Sequence, residues 1–443
     1  MRSCSQNHFL LFLVGLGTAT KLYLGGIIAI SELFAFALAP YFFIRNYRLL
    51  KKDGFLPLLW MSLLMIVGCY ISCQYNHVHI FWFIKSAMQF YSIFAMVVVF
   101  YVVLKKGLSG LGWFFIGLFV STIISIFVLN PQVRADATST ELIGQIDIET
   151  QMEGVLFWYP KIAQFLKLPI EGWYFSTPYL YSSFAPLLIA IISALLSTSG
   201  RGAAALAILS SLLICFCGRS RKRMRFLGKH FFIFMLSGLL AVVMIKNLYA
   251  FTAKRGLLGY EAQAKYFVQT KGDNSLLRLL IGGRTEFFIA IRAMIDHPIV
   301  GVGPRAEDTK GYTQEFLVKY GTHEDYERYI RIRAIEWDRV ERIPQHSIFT
   351  QFWGNAGIFG LAFCLYFLYL VYLYFRKYAH CIPQLFGYFA LSIPPALFSF
   401  FFNPYSERVT FPLLMTCLLI SRAVGKRTWV LPLDMEIAAD THC

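Results

Sequence analysis

Charged residues are scarce in this chain. Asp, Glu, Lys and Arg make up 15% of the 443 residues, whereas an ordinary soluble domain has about 25%. Hydrophobic residues make up 57%, and they form nearly uninterrupted runs such as 55–73, 80–104 and 347–375. Runs of this kind reach the roughly 20 residues that a helix needs to cross a bilayer. The composition argues against a soluble globule or a disordered chain and predicts a polytopic membrane protein.

The apolar runs also lack the alternation of polar and apolar residues that is typical of a transmembrane β-barrel. A backbone in lipid must satisfy its N–H and C=O groups internally, so the spans are expected to be helices. We therefore expect an all-α transmembrane bundle of about 12 spans, with a long, partly helical periplasmic loop.

Cysteines are few and poorly placed for cross-links or metals. None of the nine lies in the two long polar segments, 130–153 and 246–345, which argues against a disulfide framework. The pairs Cys69/Cys73 and Cys215/Cys217 lack the matching His or Cys partners of a zinc site. We expect no metal site and no cofactor.

Positive charge is in excess: 41 Lys and Arg stand against 25 Asp and Glu, giving a net charge of +16. Much of this excess lies in short segments between apolar runs, namely 45–52, 105–106, 218–229, 376–377 and 426–427. Basic segments beside membrane spans mark the cytoplasmic side. The charge therefore reports topology and does not indicate a nucleic-acid partner.

The charge pattern also fixes the parity of the spans. Counting from a cytoplasmic N-terminus gives spans at 9–20, 22–44, 55–73, 80–104 and 111–129. Counting back from a cytoplasmic C-terminus gives spans at 409–421, 384–402, 347–375, 231–245, 203–217 and 180–197. The two counts agree only if 154–175 makes one more crossing. The alternative on local sequence is an interfacial or re-entrant helix at that position.

Three regions follow from this count. Residues 1–245 are predicted to hold transmembrane helices 1–9, residues 246–346 a large periplasmic loop, and residues 347–443 helices 10–12 with a cytoplasmic tail. Within the loop, apolar residues at helical spacing predict a helix over 285–295, and paired charges predict another over 324–342. Long loops of this kind are usually functional.

Three residues on the predicted outer side carry groups suited to chemistry. Arg201 has a guanidinium that can bind phosphate oxygens, although a lone arginine there can simply snorkel to lipid headgroups. Arg284 opens the predicted helix at 285, where a cation is electrostatically misplaced unless it helps to bind an anion. His346 can transfer a proton near neutral pH, although an interfacial histidine is more often structural.

The order and surroundings of these residues form a pattern. It comprises Ser-Gly-Arg-Gly-Ala at 199–203, Gly-Gly-Arg-Thr-Glu-Phe-Phe at 282–288, Pro-Ile-Val-Gly-Val-Gly at 298–303, and His-Ser at 346–347 followed by Trp-Gly-Asn-Ala-Gly-Ile-Phe-Gly-Leu at 353–361. This series resembles the O-antigen ligase and O-antigen polymerase superfamily of bacterial membrane glycosyltransferases. Family members often have Asn where this chain has Ser347, and Ser-Arg-Gly is commoner than Ser-Gly-Arg-Gly.

The resemblance implies a metal-independent, inverting transfer at the periplasmic face of the bacterial inner membrane. The donor would be a glycan on undecaprenyl diphosphate, and the acceptor lipid A–core, as in an O-antigen ligase of lipopolysaccharide biosynthesis. Arg201 and Arg284 would bind the diphosphate, and Arg284 and His346 would be catalytic.

Three alternatives stay open at this point. The first is a repeat-unit polymerase, which would use the same donor with a growing glycan as acceptor. The second is a polysaccharide or lipid transporter, for which Glu32 and Lys85 are the main ionisable residues within the predicted spans. The third is a non-catalytic membrane scaffold.

Overall fold

The computed structural model describes residues 2–19, 21–23, 27–105, 110–127, 285–320, 342–345, 347–379, 383–402 and 408–428, together with 250–257 and isolated positions between 226 and 263. The elements, in chain order, are α1 (Arg2–Ala19), β1 (Lys21–Tyr23), β2 (Ile27–Ala29), α2 (Ile30–Lys52), α3 (Leu56–Tyr75), α4 (Ile80–Leu104), α5 (Gly110–Phe127), α6 (Thr285–Asp296), α7 (Tyr312–Tyr320), α8 (Ile348–Leu373), α9 (Pro383–Phe402) and α10 (Thr410–Thr428). A π-helical turn, Tyr374–Tyr378, extends α8.

Most of the described part of the chain is helical; it also holds one short hairpin and one isolated β-bridge, between Glu307 and Arg342, and this confirms the helical class. Three of its helices are long and apolar enough to cross a membrane: α3, α4 and α8 with its π-helical extension. The spans predicted at 55–73, 80–104 and 347–375 coincide with them. The total of about 12 spans and the three-region division stay predictions, and the doubtful crossing at 154–175 lies outside the described residues.

The span predicted at 22–44 is wrong in its boundaries. Strands β1 and β2 form an antiparallel hairpin in which Leu22 faces Ile28, and α2 begins only at Ile30. Two short segments rich in Leu, Tyr and Ile on either side of a Gly-Gly pair are typical of a β-hairpin. The predicted span was assigned from hydropathy alone and so included this hairpin. At its other end α2 runs on to Lys52, so the whole basic segment 45–52 is helical.

Glu32 is buried, with 2% of its surface exposed. Its carboxylate accepts hydrogen bonds from the Ala29 backbone N–H (2.8 Å) and the Ser92 hydroxyl (2.7 Å). Its negative charge lies in the first turn of α2, where it complements the helix dipole. The residue thus joins the hairpin, α2 and α4, a structural role that gives no support to the transporter alternative.

Helix α4 lies at the centre of the described bundle. Every residue from Ser92 to Tyr101 is buried, as expected of a helix that is apolar all round. Helices α2, α3 and α10 pack against it, and α8 packs along α3. The Phe90 and Phe352 rings meet edge to face, 5.4 Å between centroids, and so bring α8 against the N-terminal half of α4.

Helix α8 is broken at Gly357, which has φ 57° and ψ −138°. A Cβ at this position would lie 2.1 Å from the Ile299 carbonyl oxygen, so a side chain is excluded by contact as well as by conformation. The break therefore depends on glycine.

We predict that Gly357→Ala lowers the free energy of unfolding by about 3 kcal/mol or more, because strain and a backbone clash add together. The matched control is Gly54→Ala. Gly54 also has a positive φ, 79°, but a Cβ added there would meet no atom within 4 Å, so only the conformational cost of about 1–2 kcal/mol applies. Unfolding of both variants in detergent, followed by intrinsic fluorescence, measures the difference. Equal destabilisation would show that the contact with Ile299 does not shape the break.

Candidate active site

The motif at 298–303, here called the glycine loop, occupies the break in α8. The Gly303 N–H donates to the Gly354 carbonyl (2.9 Å), and the Ile358 N–H donates to the Ile299 carbonyl (2.8 Å). In an unbroken helix the Ile358 N–H would donate to Gly354 itself. The glycine loop therefore supplies hydrogen-bond partners to the Gly354 carbonyl and the Ile358 N–H, the two groups that the break separates.

Gly301 lies where the glycine loop comes closest to α8. It has φ 80°, and a Cβ there would lie 2.4 Å from the Gly354 carbonyl oxygen and 2.9 Å from that of Trp353. The Asn76 side-chain amide, at the end of α3, donates to the Gly301 carbonyl (3.1 Å). The Trp353 indole N–H donates to the Pro298 carbonyl (3.1 Å). Contacts from α3 and α8 thus fix the loop from both sides.

Helices α6 and α7 flank the glycine loop through a small core of their own, formed by Ile289, Ala293, Val302, Ala306, Tyr312 and Ile343. The Asp308 carboxylate accepts the backbone N–H groups of Tyr312 and Thr313, both at 2.8 Å, and so caps α7. The Tyr312 hydroxyl donates to the Asp296 carboxylate (3.1 Å) at the end of α6. Burial, together with this hydrogen bond, raises the pKa of Tyr312 to about 12. The hydroxyl thus stays a donor at physiological pH.

The three candidate residues, Arg201, Arg284 and His346, lie outside the described residues. The residues on either side of His346, Gln345 and Ser347, belong to the described part of the chain. The Gln345 side-chain amide donates to the Gly303 carbonyl (2.9 Å). The Ser347 hydroxyl accepts the Thr350 N–H (3.0 Å) and caps α8.

Arg284 directly precedes Thr285, the first residue of α6, which confirms the helix predicted over 285–295. The helix predicted over 324–342 lies outside the described residues except at its end. There Arg342 forms an isolated antiparallel bridge with Glu307, so a helical end at 342 is wrong. The Ile343 N–H also donates to the Ala306 carbonyl (2.9 Å), because this segment pairs with the chain that leaves the glycine loop. The described site therefore joins the motif at 298–303, residues Gln345 and Ser347, and the motif at 353–357.

Sequence reasoning missed a row of polar side chains between α4 and α8. The Gln351 amide donates to the Gln89 side-chain oxygen (3.0 Å), and the Asn355 amide donates to the Ser86 hydroxyl (3.4 Å). Asn355 is 1% exposed, and its Oδ1 has no hydrogen-bond partner among the described groups. Buried polar groups in an apolar span are costly unless they are hydrogen-bonded. The helical spacing of these polar residues within both spans was the available signal.

Comparison with known families bears on the same stretch of chain. Residues 186–365 match a family model described as O-antigen ligase. Over these residues the chain is similar to the O-antigen ligase family. The matched range contains Arg201, Arg284, the glycine loop, His346 and the break in α8, and it confirms the resemblance seen in the motifs. The O-antigen ligase family consists of glycosyltransferase-type membrane enzymes. No curated protein and no solved structure matches the chain.

We predict that Gln345→Leu lowers glycosyltransferase activity about 10-fold or more without loss of folded protein, because small displacements of a catalytic group are costly. The variant keeps the size of the side chain but removes the donor to the Gly303 carbonyl. Gln74→Leu, at an exposed position near the end of α3, is the matched control and should keep full activity. Product formation per folded molecule is the measurement; equal rates for the two variants would show that the Gln345 anchor is dispensable.

Proposed function

We propose that this protein transfers an O-antigen-type glycan from undecaprenyl diphosphate to an acceptor sugar at the periplasmic face of the inner membrane, with lipid A–core as the acceptor. The observation that carries the proposal is the convergence of the family motifs. Backbone hydrogen bonds join the glycine loop to α8, and the side-chain amide of Gln345, the residue before His346, donates to the Gly303 carbonyl. Arg284 immediately precedes α6.

The proposed reaction is a single displacement. The acceptor hydroxyl oxygen attacks the anomeric carbon of the first sugar while the bond from that carbon to the diphosphate oxygen breaks, which inverts the anomeric configuration. His346 takes the proton of the attacking hydroxyl. Arg201 and Arg284 stabilise the negative charge that grows on the leaving diphosphate, a task that suits the planar guanidinium fork. No step is assigned to a metal.

The position of the glycine loop along α4 supports a periplasmic site. The loop contacts Asn76, four residues before α4 begins, whereas the opposite end of α4 leads into the basic pair Lys105-Lys106. Basic residues at the end of a span favour the cytoplasmic side. The glycine loop therefore lies at the end of α4 remote from the predicted cytoplasmic surface.

We predict that Arg284→Ala and His346→Ala each reduce glycan transfer by about 100-fold or more, because each removes a group that stabilises the transition state. Arg284→Lys should also be impaired, since a lysine lacks the bidentate fork. Transfer is measured with purified enzyme and lipid-linked donor.

Two matched controls accompany these variants. Arg292→Ala removes an exposed arginine of α6 whose ion pair with Asp296 (2.7 Å) is worth little. His230→Ala removes a histidine whose ring lies tilted against that of Phe226, 4.5 Å between centroids, next to a predicted cytoplasmic segment. Both should retain activity and membrane insertion. Normal surface glycan in cells carrying Arg284→Ala or His346→Ala would refute the assigned roles.

The polymerase alternative uses the same donor and differs in its acceptor, so the products in the native host separate the two. We predict that deletion of the gene leaves full-length glycan on the lipid carrier and none on lipid A–core. Glycolipids with a single repeat unit would instead identify a polymerase. An unchanged envelope glycan would contradict both functions.

A further inference from the structure

Three cations from distant parts of the sequence gather around one indole ring. The ring belongs to Trp82, in the first turn of α4. The Arg305 guanidinium carbon lies 4.2 Å from the ring centroid, the Lys85 ammonium 5.4 Å, and the Arg342 guanidinium carbon 5.6 Å. We call these four residues the Trp82 cluster.

The cluster is electrostatically unfavourable as it stands. Each cation is attracted to the indole face, but the three positive charges repel one another. The nearby N-terminus of α4 disfavours cations as well. None of the three forms an ion pair with a carboxylate of the described residues, in contrast to the exposed pair Arg292–Asp296 on α6. The charges are uncompensated within that part of the chain.

The backbone holds Arg305 in place at a conformational cost. Arg305 has φ 55°, in the left-handed region that residues other than glycine rarely adopt. Such strain persists where the surroundings enforce it, and it is concentrated at functional sites. Here Gly303, two residues earlier, is anchored to α8 and to Gln345, and the Glu307–Arg342 bridge brings Arg342 alongside. Burial and the charge of Arg342 lower the pKa of Arg305, in keeping with an electropositive site.

We propose that the Trp82 cluster binds a phosphate group of a substrate of glycan transfer. Two guanidinium groups and an ammonium provide charge-assisted donors for phosphate oxygens, and the indole holds the three cations together through cation–π contacts. The cluster lies close to the proposed centre, because Arg342 is four residues before His346 and Gln345 bonds the carbonyl of Gly303. The inference rests on the proposed function and extends its substrate recognition.

Two substrates could supply this phosphate: the diphosphate of the lipid-linked donor and a phosphate on the acceptor glycan. Binding of inorganic pyrophosphate tests the shared chemistry without any transfer reaction. Purified full-length protein in nanodiscs of zwitterionic lipid is titrated calorimetrically. Arg305→Gln and Arg342→Gln should each weaken pyrophosphate binding about 10-fold, because each removes a charge-assisted donor, and Arg305→Lys should restore part of it.

The matched control is Arg255→Gln. The Arg255 guanidinium carbon lies 3.9 Å from the Phe251 ring centroid, a cation–aromatic contact outside the cluster, so pyrophosphate affinity should not change. Size-exclusion profiles of all variants verify folding. Unchanged affinity in Arg305→Gln and Arg342→Gln would overturn the proposal, whether or not the wild-type protein transfers glycan.

The kinetic arm identifies the source of the phosphate. A rise in the KM for the lipid-linked donor in Arg305→Gln assigns the phosphate to the donor, and a rise in the KM for the acceptor assigns it to the acceptor; either result supports the proposal. Weaker pyrophosphate binding with both KM values unchanged would overturn it, because the cluster would then hold only an adventitious ion or a lipid headgroup. If the wild-type protein transfers no glycan, the proposed function fails, while the pyrophosphate titration still reports on the cluster.

Discussion

Two backbone groups of α8, the Gly354 carbonyl and the Ile358 N–H, govern the arrangement of the candidate site. They would bond to each other in a continuous helix, and an unpaired backbone group within an apolar span is costly. The glycine loop provides a partner for each, at 2.9 and 2.8 Å. The broken part of the helix and the glycine loop therefore form one structural unit, because each provides hydrogen-bond partners for backbone groups of the other.

Other features of the site follow from this exchange. With Gly301 and Gly303 against α8, the Gly303 carbonyl is available to the Gln345 amide, which fixes the chain one residue before His346. The same anchoring sets the course of the chain to Arg305 above Trp82. Side chains that act in catalysis need supports of this kind, because geometry must be held within fractions of an ångström. The hydrogen-bonded break in α8 thus helps to position Arg305, which is suited to bind phosphate, and His346, which is suited to accept a proton.

The sequence predicted some of these elements well and others not at all. Long apolar runs made α3, α4 and α8 predictable, because burial in lipid or core depends on local composition. The spacing of Phe287, Phe288 and Ile291 likewise predicted α6. Hydropathy did not predict the break at Gly357 or the β1–β2 hairpin, because these features depend on turn conformation and on hydrogen bonds to remote residues. The Trp82 cluster escaped for the same reason: Trp82, Arg305 and Arg342 are far apart in sequence, and each looks ordinary alone.

The glycine loop and the start of α8 are proposed to support the centre that binds the diphosphate of the donor. A cryo-EM structure of the protein in nanodiscs with undecaprenyl diphosphate tests this role most directly. We expect diphosphate density at the glycine-loop end of α4, within hydrogen-bonding distance of Arg284 and beside His346. Diphosphate density at the Lys105 end of α4, or away from the glycine loop, would contradict it.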